Sequence, residues 1–277
     1  MTATQTPPEC PDVFASDFWK ELITYLGGDP TLIKDGWCWE HLSQINQNYP
    51  ELIENIERYF ENAITGDSSE AAFYMVLYCK SKREWAERII EKAKTGDPAD
   101  AAMSMVVNCN SSREWAEKVI EHATVGDPAE VAYRMFCYCG SKLEWAEKII
   151  EQVTIGYPAY VAFQMVYYCK GRREWTENII ERDKAGDPAY LAHEMVYLCN
   201  SSREWGEIVI QKATTGNPAF AAYCMASFCG SSKEWAERVI EQTKIGNPIQ
   251  SAFFMVEDCG SSQEWYEKIK AKQAKKS

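Results

Sequence analysis

Basic side chains are scarce in this chain. Its 277 residues include 29 lysines and arginines against 41 acidic residues, which gives a formal net charge of −12. Such a charge repels polyanions, so it argues against direct binding to nucleic acid or to an anionic membrane. No stretch of about 18 consecutive apolar residues occurs, so no membrane span is expected. The first residues show no basic segment followed by an apolar one, so no secretory leader is expected either, and we predict a cytoplasmic protein.

Catalytic signatures are absent from the sequence as well. The only histidines are His41, His122 and His193, and none has a second ligand at a zinc spacing. No phosphate-binding loop, dinucleotide fingerprint or nucleophile elbow occurs. The sequence therefore predicts no catalytic residue, no metal site and no cofactor, and it favours a protein that is not an enzyme.

The chain does contain a repeat of 30 residues in seven copies. Each copy starts at one glycine of the series Gly66, Gly96, Gly126, Gly156, Gly186, Gly216 and Gly246. A fixed period of this length is typical of stacked supersecondary units. We number each repeat from its glycine as position 1.

Two helix signals recur along the repeats. Position 2 is Asp or Asn in six copies and position 3 is Pro in six copies, which predicts the start of a first helix. We call it helix A and expect it to end at the cysteine of position 14. Its apolar positions 4, 7, 8, 11 and 14 share one face. Ser at position 16 and Glu at position 19, as in Ser111 and Glu114, match the capping box of a second helix, helix B. The next glycine is expected to end helix B as its C′ residue.

Some columns of the repeat hardly vary. Ala at position 7, Met at position 10, Cys at position 14 and Trp at position 20 occur in all seven copies. Stacked helices place equivalent atoms roughly 9–10 Å apart, beyond the ~7 Å between Cα atoms that a disulfide allows. We therefore expect buried, reduced cysteines, in agreement with a cytoplasmic location.

Three regions follow from the repeat. We predict an N-terminal capping region of two or three helices in residues 1–65, the seven hairpins in residues 66–270, and a basic tail in residues 271–277. The fold class is all-α, a right-handed α-solenoid of seven helix-turn-helix repeats with an N-terminal helical cap.

The Asp-Pro start, the period and the small residue in helix A resemble the HEAT-like repeats of the lyase-associated type, and more broadly tetratricopeptide-like hairpins. The segment REWAExxI after the turn is similar to short hairpin repeats of uncharacterised bacterial and phage proteins. This resemblance covers residues 66–270 and implies scaffolding or partner binding. The Trp and Cys columns depart from the HEAT and tetratricopeptide patterns, so no residue roles are transferred.

Variable columns mark the candidate binding face. Positions 5, 9, 12 and 13 of helix A lie opposite the expected core and mix aromatic with acidic residues. Aromatic residues with a polar rim are enriched in protein-recognition surfaces. The candidate partner-binding residues are Tyr160, Tyr167, Tyr168, Tyr190, Tyr197 and Phe220, with Tyr138, Glu130 and Glu194.

Several alternatives stay open. The first hypothesis is a protein- or peptide-binding scaffold. In one form of this hypothesis, the partner carries a basic segment that the acidic residues bind. The second is an acidic mimic of nucleic acid that inhibits a DNA- or RNA-handling protein through the glutamates of helix B. A reader of single-stranded RNA conflicts with the charge. An accessory subunit of an enzyme is not separable from the first hypothesis. Packing of the tyrosines against the adjacent A helix is the structural alternative to a binding role.

Overall fold

The computed structural model describes residues 16–25, 27, 43, 45–47, 50–62 and 67–274, and these residues form helices joined by short connections. Ahead of the repeats, α1 spans Ser16–Tyr25, a 3-10 turn spans Pro50–Leu52 and α2 spans Ile53–Glu61. Most of the predicted capping region lies outside the described residues.

The chain divides into two compact units, residues 1–156 and 157–277. In the first unit, the repeats contribute α3 Ser68–Cys79, α4 Arg83–Lys92, α5 Pro98–Cys109, α6 Arg113–His122, α7 Pro128–Cys139 and α8 Leu143–Gln152. In the second unit they contribute α9 Pro158–Cys169, α10 Arg173–Arg182, α11 Pro188–Cys199, α12 Arg203–Lys212, α13 Pro218–Phe228, α14 Lys233–Gln242, α15 Pro248–Cys259 and α16 Gln263–Ala274. The all-α helical-repeat class is confirmed, and the handedness stays a prediction.

Most A helices start with a side-chain N-cap, and in several repeats the same side chain also binds the next repeat; at α9, Tyr157 makes no such cap bond. The Oδ1 atom of Asp187 accepts a hydrogen bond from the backbone N–H of Tyr190 (3.0 Å), as an N-cap does. Its Oδ2 atom accepts a second one from the backbone N–H of Asn217 (3.0 Å), one repeat later. Asp67 makes the same pair of bonds in the first unit. One carboxylate thus caps a helix and fixes the start of its neighbour.

The repeat glycine serves this contact rather than the end of helix B. Gly216 has φ +76°, and a Cβ there would lie 2.1 Å from the Oδ1 atom of Asp187. Helix α12 has already ended at Lys212, with Ala213 in an extended conformation. The expected C′ role is therefore wrong, although the left-handed conformation of the glycine is found.

A left-handed residue instead ends most A helices, at position 15. Asn200 has φ 57°, and its N–H donates to the carbonyl of Met195. The N–H of Ser201 donates to the same carbonyl (3.0 Å). Lysine, asparagine and glycine all occur at position 15, so no single residue type in this column predicts the turn.

The predicted capping box is also displaced by one residue. Position 17 is the N-cap of helix B, as when Ser202 accepts from the N–H of Trp205 (3.1 Å). The serine of position 16 is buried and faces the preceding repeat, where Ser201 donates to Oε1 of Glu177 (2.6 Å). The tight turn at position 15 leaves position 17 as the first residue with the extended conformation that an N-cap needs.

The core is broader than the predicted stripe. All seven methionines of position 10 and all seven alanines of position 7 are buried, as is position 6, which the sequence analysis did not assign to the core. Helix B adds positions 24 and 25 and a small residue at position 21, such as Ala86 or Gly206. A Cβ on Gly206 would meet Val196 at 2.6 Å, so this column allows the two helices to approach closely.

The cysteine and tryptophan columns are less buried than expected. Cys79 is buried, whereas the other cysteines of position 14 are half-buried, because the column lies at the edge of the core. Four tryptophans are half-buried, and each donates its indole N–H to a position-26 glutamate in the preceding repeat. These pairs are Trp115–Glu91, Trp145–Glu121, Trp205–Glu181 and Trp265–Glu241.

Arginines of position 18 form a second link between repeats. Arg203 donates from Nη1 to the carbonyl of Gly230 (2.9 Å) in the next repeat, and its Nε atom lies 3.7 Å from Glu207 of its own helix. The same contact recurs for Arg83, Arg113 and Arg173. Much of the charge on helix B therefore holds the array together instead of facing solvent alone.

The last helix runs four residues past the predicted end of the array. It continues to Ala274, so residues 271–274 are helical. Lys272 donates from Nζ to the carbonyl of Glu241 (2.6 Å), and Lys268 lies 3.2 Å from the Glu241 carboxylate. Lys268 and Lys272 thus bind the preceding B helix.

The bridging cap gives a stability prediction. Replacing Asp187 by Ala removes the N-cap bond and the bond to the next repeat, so we expect the free energy of unfolding to fall by about 1–3 kcal/mol. Asp187→Asn is the matched control, since Asn217 accepts both equivalent bonds through its Oδ1 atom. Urea unfolding followed by circular dichroism measures both variants. An unchanged midpoint for the alanine variant would contradict the bridging role.

Candidate partner-binding surface

The second unit carries an exposed group of tyrosines on its A helices. The five predicted tyrosines of α9 and α11 are between 42% and 66% exposed, with Tyr168 the most exposed. Phe220 on α13 is half-buried. We call these six residues together with Phe228 the aromatic surface. Large aromatic side chains of this exposure mark interaction sites more often than isolated apolar residues do.

Buried rings support the exposed ones along each helix. On α9, Phe163 is buried and stacks on Tyr167, with ring centroids 5.8 Å apart and planes 10° apart. On α11, buried His193 stacks on Tyr197 with the same distance and angle. Residues four apart on a helix share a face, so each position-8 ring holds a position-12 ring in place.

Phe228 belongs to the surface although it was not among the predicted site residues. Its side chain is 58% exposed, and its ring centroid lies 6.1 Å from that of Tyr197 on the neighbouring A helix. It also lies 6.4 Å from the ring of Tyr223. Its signal was visible in the sequence, because position 13 is aromatic in four of the seven repeats.

A polar contact ties the far side of the surface to the last repeat. Tyr223 donates its hydroxyl to Oδ2 of Asp258 (2.6 Å), and this bond, together with burial, raises the pKa of Tyr223 to about 12. Its ring also packs against Phe254 at 5.2 Å. These contacts fix α13 and α15 as a rigid edge of the surface.

Glu194 is the acidic residue of the surface. It lies on α11 at position 9, one helical turn after Tyr190, and its side chain is only 17% exposed. Burial and then the charge of Glu194 raise the pKa of Tyr190 and of Cys199. A half-buried carboxylate among aromatic rings retains more of its electrostatic influence than one in open solvent.

His193 is the buried polar group beneath the surface. Neither ring nitrogen makes a hydrogen bond, although Nδ1 lies 3.3 Å from Oε1 of Glu194. Burial lowers the pKa of His193, and the opposing effect of Glu194 does not cancel this shift. The imidazole is therefore held neutral in a position that other repeats fill with Phe, Tyr or Met.

Two predicted residues lie in the first unit. Tyr138 on α7 is 74% exposed, the largest exposure of any aromatic side chain described. Glu130 is half-buried at the start of the same helix, and burial followed by Asp127 raises its pKa. Tyr138 and Glu130 thus belong to the first unit, whereas the aromatic surface belongs to the second.

An ion pair occupies the corresponding groove of the first unit. Arg134 at position 9 of α7 donates from Nη1 to Oδ1 of Asp100 at position 5 of α5, at 2.5 Å. Both side chains are about 40% exposed (38% and 44%). Positions 5 and 9 of successive A helices thus face one another across a groove.

Helix B presents the glutamates of the alternative hypothesis. Position 19 is exposed, but Glu84, Glu114 and Glu204 each lie within 3.3 Å of the arginine that precedes them. Position 22 is mostly half-buried and bound to arginine or serine. Alternating charges of this kind produce a weaker long-range field than an unbroken acidic ridge.

In the part of the chain that the structure describes, no three His, Cys, Asp or Glu side chains converge as metal ligands, and the cysteines form no disulfide. Among these residues, no helix has both the length and the apolar character needed to cross a bilayer. Burial raises the pKa of the Cys224 thiol to about 12, which disfavours its reactive thiolate form.

The buried imidazole gives a pH prediction. The unfolded chain binds a proton at His193 below about pH 6.5, whereas the folded chain resists it, so this residue makes stability fall as pH falls through that range. His193→Phe, which copies Phe163, should remove this part of the pH dependence. It should also raise the free energy of unfolding by about 1–3 kcal/mol, because two unpaired nitrogens leave the core.

Urea unfolding of both proteins at a series of pH values between neutral and mildly acidic measures this effect. Removal of the exposed His122 by His122→Phe is the control. Identical pH dependence in the His193 variant and the parent would contradict a buried neutral imidazole.

Comparisons with known proteins leave the surface to be interpreted from its own geometry. No protein-family model matches the chain, and neither a curated protein nor a solved structure is significantly similar to it.

Proposed function

We propose that this protein is a non-catalytic binding scaffold that holds a protein or peptide segment on the aromatic surface of its second unit. The observation that carries the proposal is the set of five tyrosines, each at least 42% exposed, on adjacent A helices. Tyrosine contributes a large contact area with little loss of side-chain entropy on binding, and it is enriched among residues that dominate binding energy.

Rigid support favours the same function. The rings of Tyr167 and Tyr197 rest on buried rings, and Tyr197 also contacts Phe228 on the next A helix. A binding surface that is already ordered loses less conformational entropy on association. The surface extends over three successive A helices, which suits an extended segment better than a small molecule.

The chemistry of the partner follows from the charge. The chain carries a net charge of −12, and Glu194 lies within the aromatic surface. A partner segment with basic residues would be attracted to this surface and repelled by few cations. We propose that this encounter takes place in the cytoplasm, because the described cysteines form no disulfide, as is typical of a reducing compartment.

The acidic-mimic function remains the second candidate. The exposed glutamates of position 19 favour it, since Glu84, Glu114 and Glu204 are each about two-thirds exposed (67%, 66% and 70%). Their paired arginines and the inter-repeat bonds of positions 18, 22 and 26 reduce the charge left for a partner. The aromatic surface therefore has the stronger support.

Loss of the tyrosines tests the proposal. The triple variant Tyr160→Ala, Tyr190→Ala, Tyr197→Ala should weaken binding to peptides captured on a degenerate peptide array by about 30-fold or more, the effect of one strong hot spot. Because these side chains are exposed, the unfolding midpoint should change little. Fluorescence anisotropy with labelled peptides measures the affinities.

Tyr157→Ala is the matched control, since Tyr157 is an exposed tyrosine of the same unit outside the aromatic surface. It should bind as the parent does. Retained binding by a folded triple variant would contradict the proposal.

Salt dependence separates the two candidates. An acidic mimic loses affinity steeply as salt rises, because its attraction is between exposed charges. Changing Glu84, Glu114 and Glu204 together to Gln should then weaken binding to a basic partner more than the tyrosine variant does. We expect the opposite order, with a modest salt effect, and the reverse result would favour the helix B surface.

A further inference from the structure

Glu194 is a half-buried carboxylate that the chain does not pair with a cation. Within the part of the chain that the structure describes, its one partner at ion-pair distance is His193, which burial keeps neutral. The other side chains within its electrostatic influence are Tyr190, whose hydroxyl is also a hydrogen-bond partner, and the thiols of Cys199, Cys224 and Cys229, none of which is a cation. A half-buried carboxylate is costly to desolvate when no cation pairs with it, so a cation supplied by a ligand would be favourable here.

In the first unit, an ion pair occupies the equivalent groove between two successive A helices. There, position 9 is Arg134 and position 5 of the preceding repeat is Asp100, and the guanidinium and carboxylate are in direct contact. In the second unit, position 9 is Glu194 and position 5 of the preceding repeat is Tyr160. The groove between these A helices therefore accepts a guanidinium, but α11 offers an acid in place of the arginine.

Aromatic rings complete the surroundings of Glu194. Tyr190 is one helical turn before it on α11, and Tyr160 occupies position 5 of the preceding A helix, the position from which Asp100 reaches Arg134 in the first unit. Tyr160 and Tyr190 are 48% and 42% exposed, so a ligand can reach their rings. A planar guanidinium binds a carboxylate through two parallel hydrogen bonds and stacks on aromatic faces.

We propose that Glu194 receives the guanidinium of an arginine in the bound segment, which then packs against Tyr160 and Tyr190. This inference rests on the proposed function, because the arginine belongs to the segment on the aromatic surface. Arginine suits the site better than lysine, since its guanidinium is more weakly hydrated and loses less on entering a half-buried place. A divalent cation is a poorer occupant, because no cluster of further ligands surrounds Glu194 in the described residues.

The test starts from the peptides captured on the degenerate array. Arginine should be enriched in them at one position relative to the aromatic residues. Replacing that arginine by citrulline, its neutral isostere, should weaken binding to the parent protein by about 10-fold or more, as expected for a charge-assisted hydrogen bond. Replacement by lysine should weaken it by less than citrulline does. Anisotropy measures all three affinities.

A protein variant completes the cycle. Glu194→Gln preserves the shape of the side chain, and in this variant the arginine and citrulline peptides should bind within about 3-fold of each other, because the coupling between the charges is lost. Glu257→Gln, which removes an exposed acid from α15, is the control and should preserve the full arginine preference. The citrulline comparison needs no protein variant. An arginine preference that is absent from it would overturn the inference even if the Glu194 variant does not fold.

The outcomes distinguish the two proposals. If the array captures no peptide, both the proposed function and this inference fail. If peptides bind through the tyrosines but show no arginine preference, or keep that preference in the Glu194→Gln variant, the inference alone is overturned. An arginine preference that disappears with Glu194 supports the inference.

Discussion

The packing of neighbouring repeats depends on a carboxylate or amide at the start of most A helices. Asp187 caps its own helix and at the same time accepts the N–H of Asn217, the first helix-start residue of the next repeat. This second bond requires that the neighbouring glycine have no Cβ, because the carboxylate occupies that space. The glycine and the Asx residue are therefore two parts of one contact. Where Tyr157 replaces the Asx residue, α9 has no side-chain cap, and Gly186 lies against Asp183 instead.

Hydrogen bonds and ion pairs also involve many of the charged side chains on helix B. Arg203 joins its own glutamate to a carbonyl of the next repeat, and Trp205 donates to Glu181 of the previous one. Each of these bonds is weak in water, but the geometry repeats along the array, so the contributions accumulate at every junction. Many glutamates and arginines of helix B thus have structural partners within the array. For this reason we propose helix A, and not helix B, as the face that a partner uses.

The sequence predicted the helices well and their junctions poorly, for a physical reason. Helix A of the second repeat runs Pro98–Cys109, as the Asx-Pro start and the cysteine column indicated, since period and capping are local properties. Ser201 was expected to cap a helix and instead bonds Glu177 of the neighbouring repeat. Position 6 was missed because its burial arises only when a second hairpin packs on the first. Local patterns carry no information about such partners.

The variable columns of helix A could be identified from the sequence because they differ from repeat to repeat. In the first unit, Arg134 and Asp100 satisfy one another across the groove between two A helices, so the chain itself fills that groove. In the second unit, Glu194 lies among aromatic rings and 3.3 Å from a neutral imidazole, and no cation of the described residues pairs with it. Burial of an unmet charge lowers stability, and a fold with many alternative residues at position 9 has no structural need for it. The partner that we propose supplies the cation that would balance the charge of Glu194.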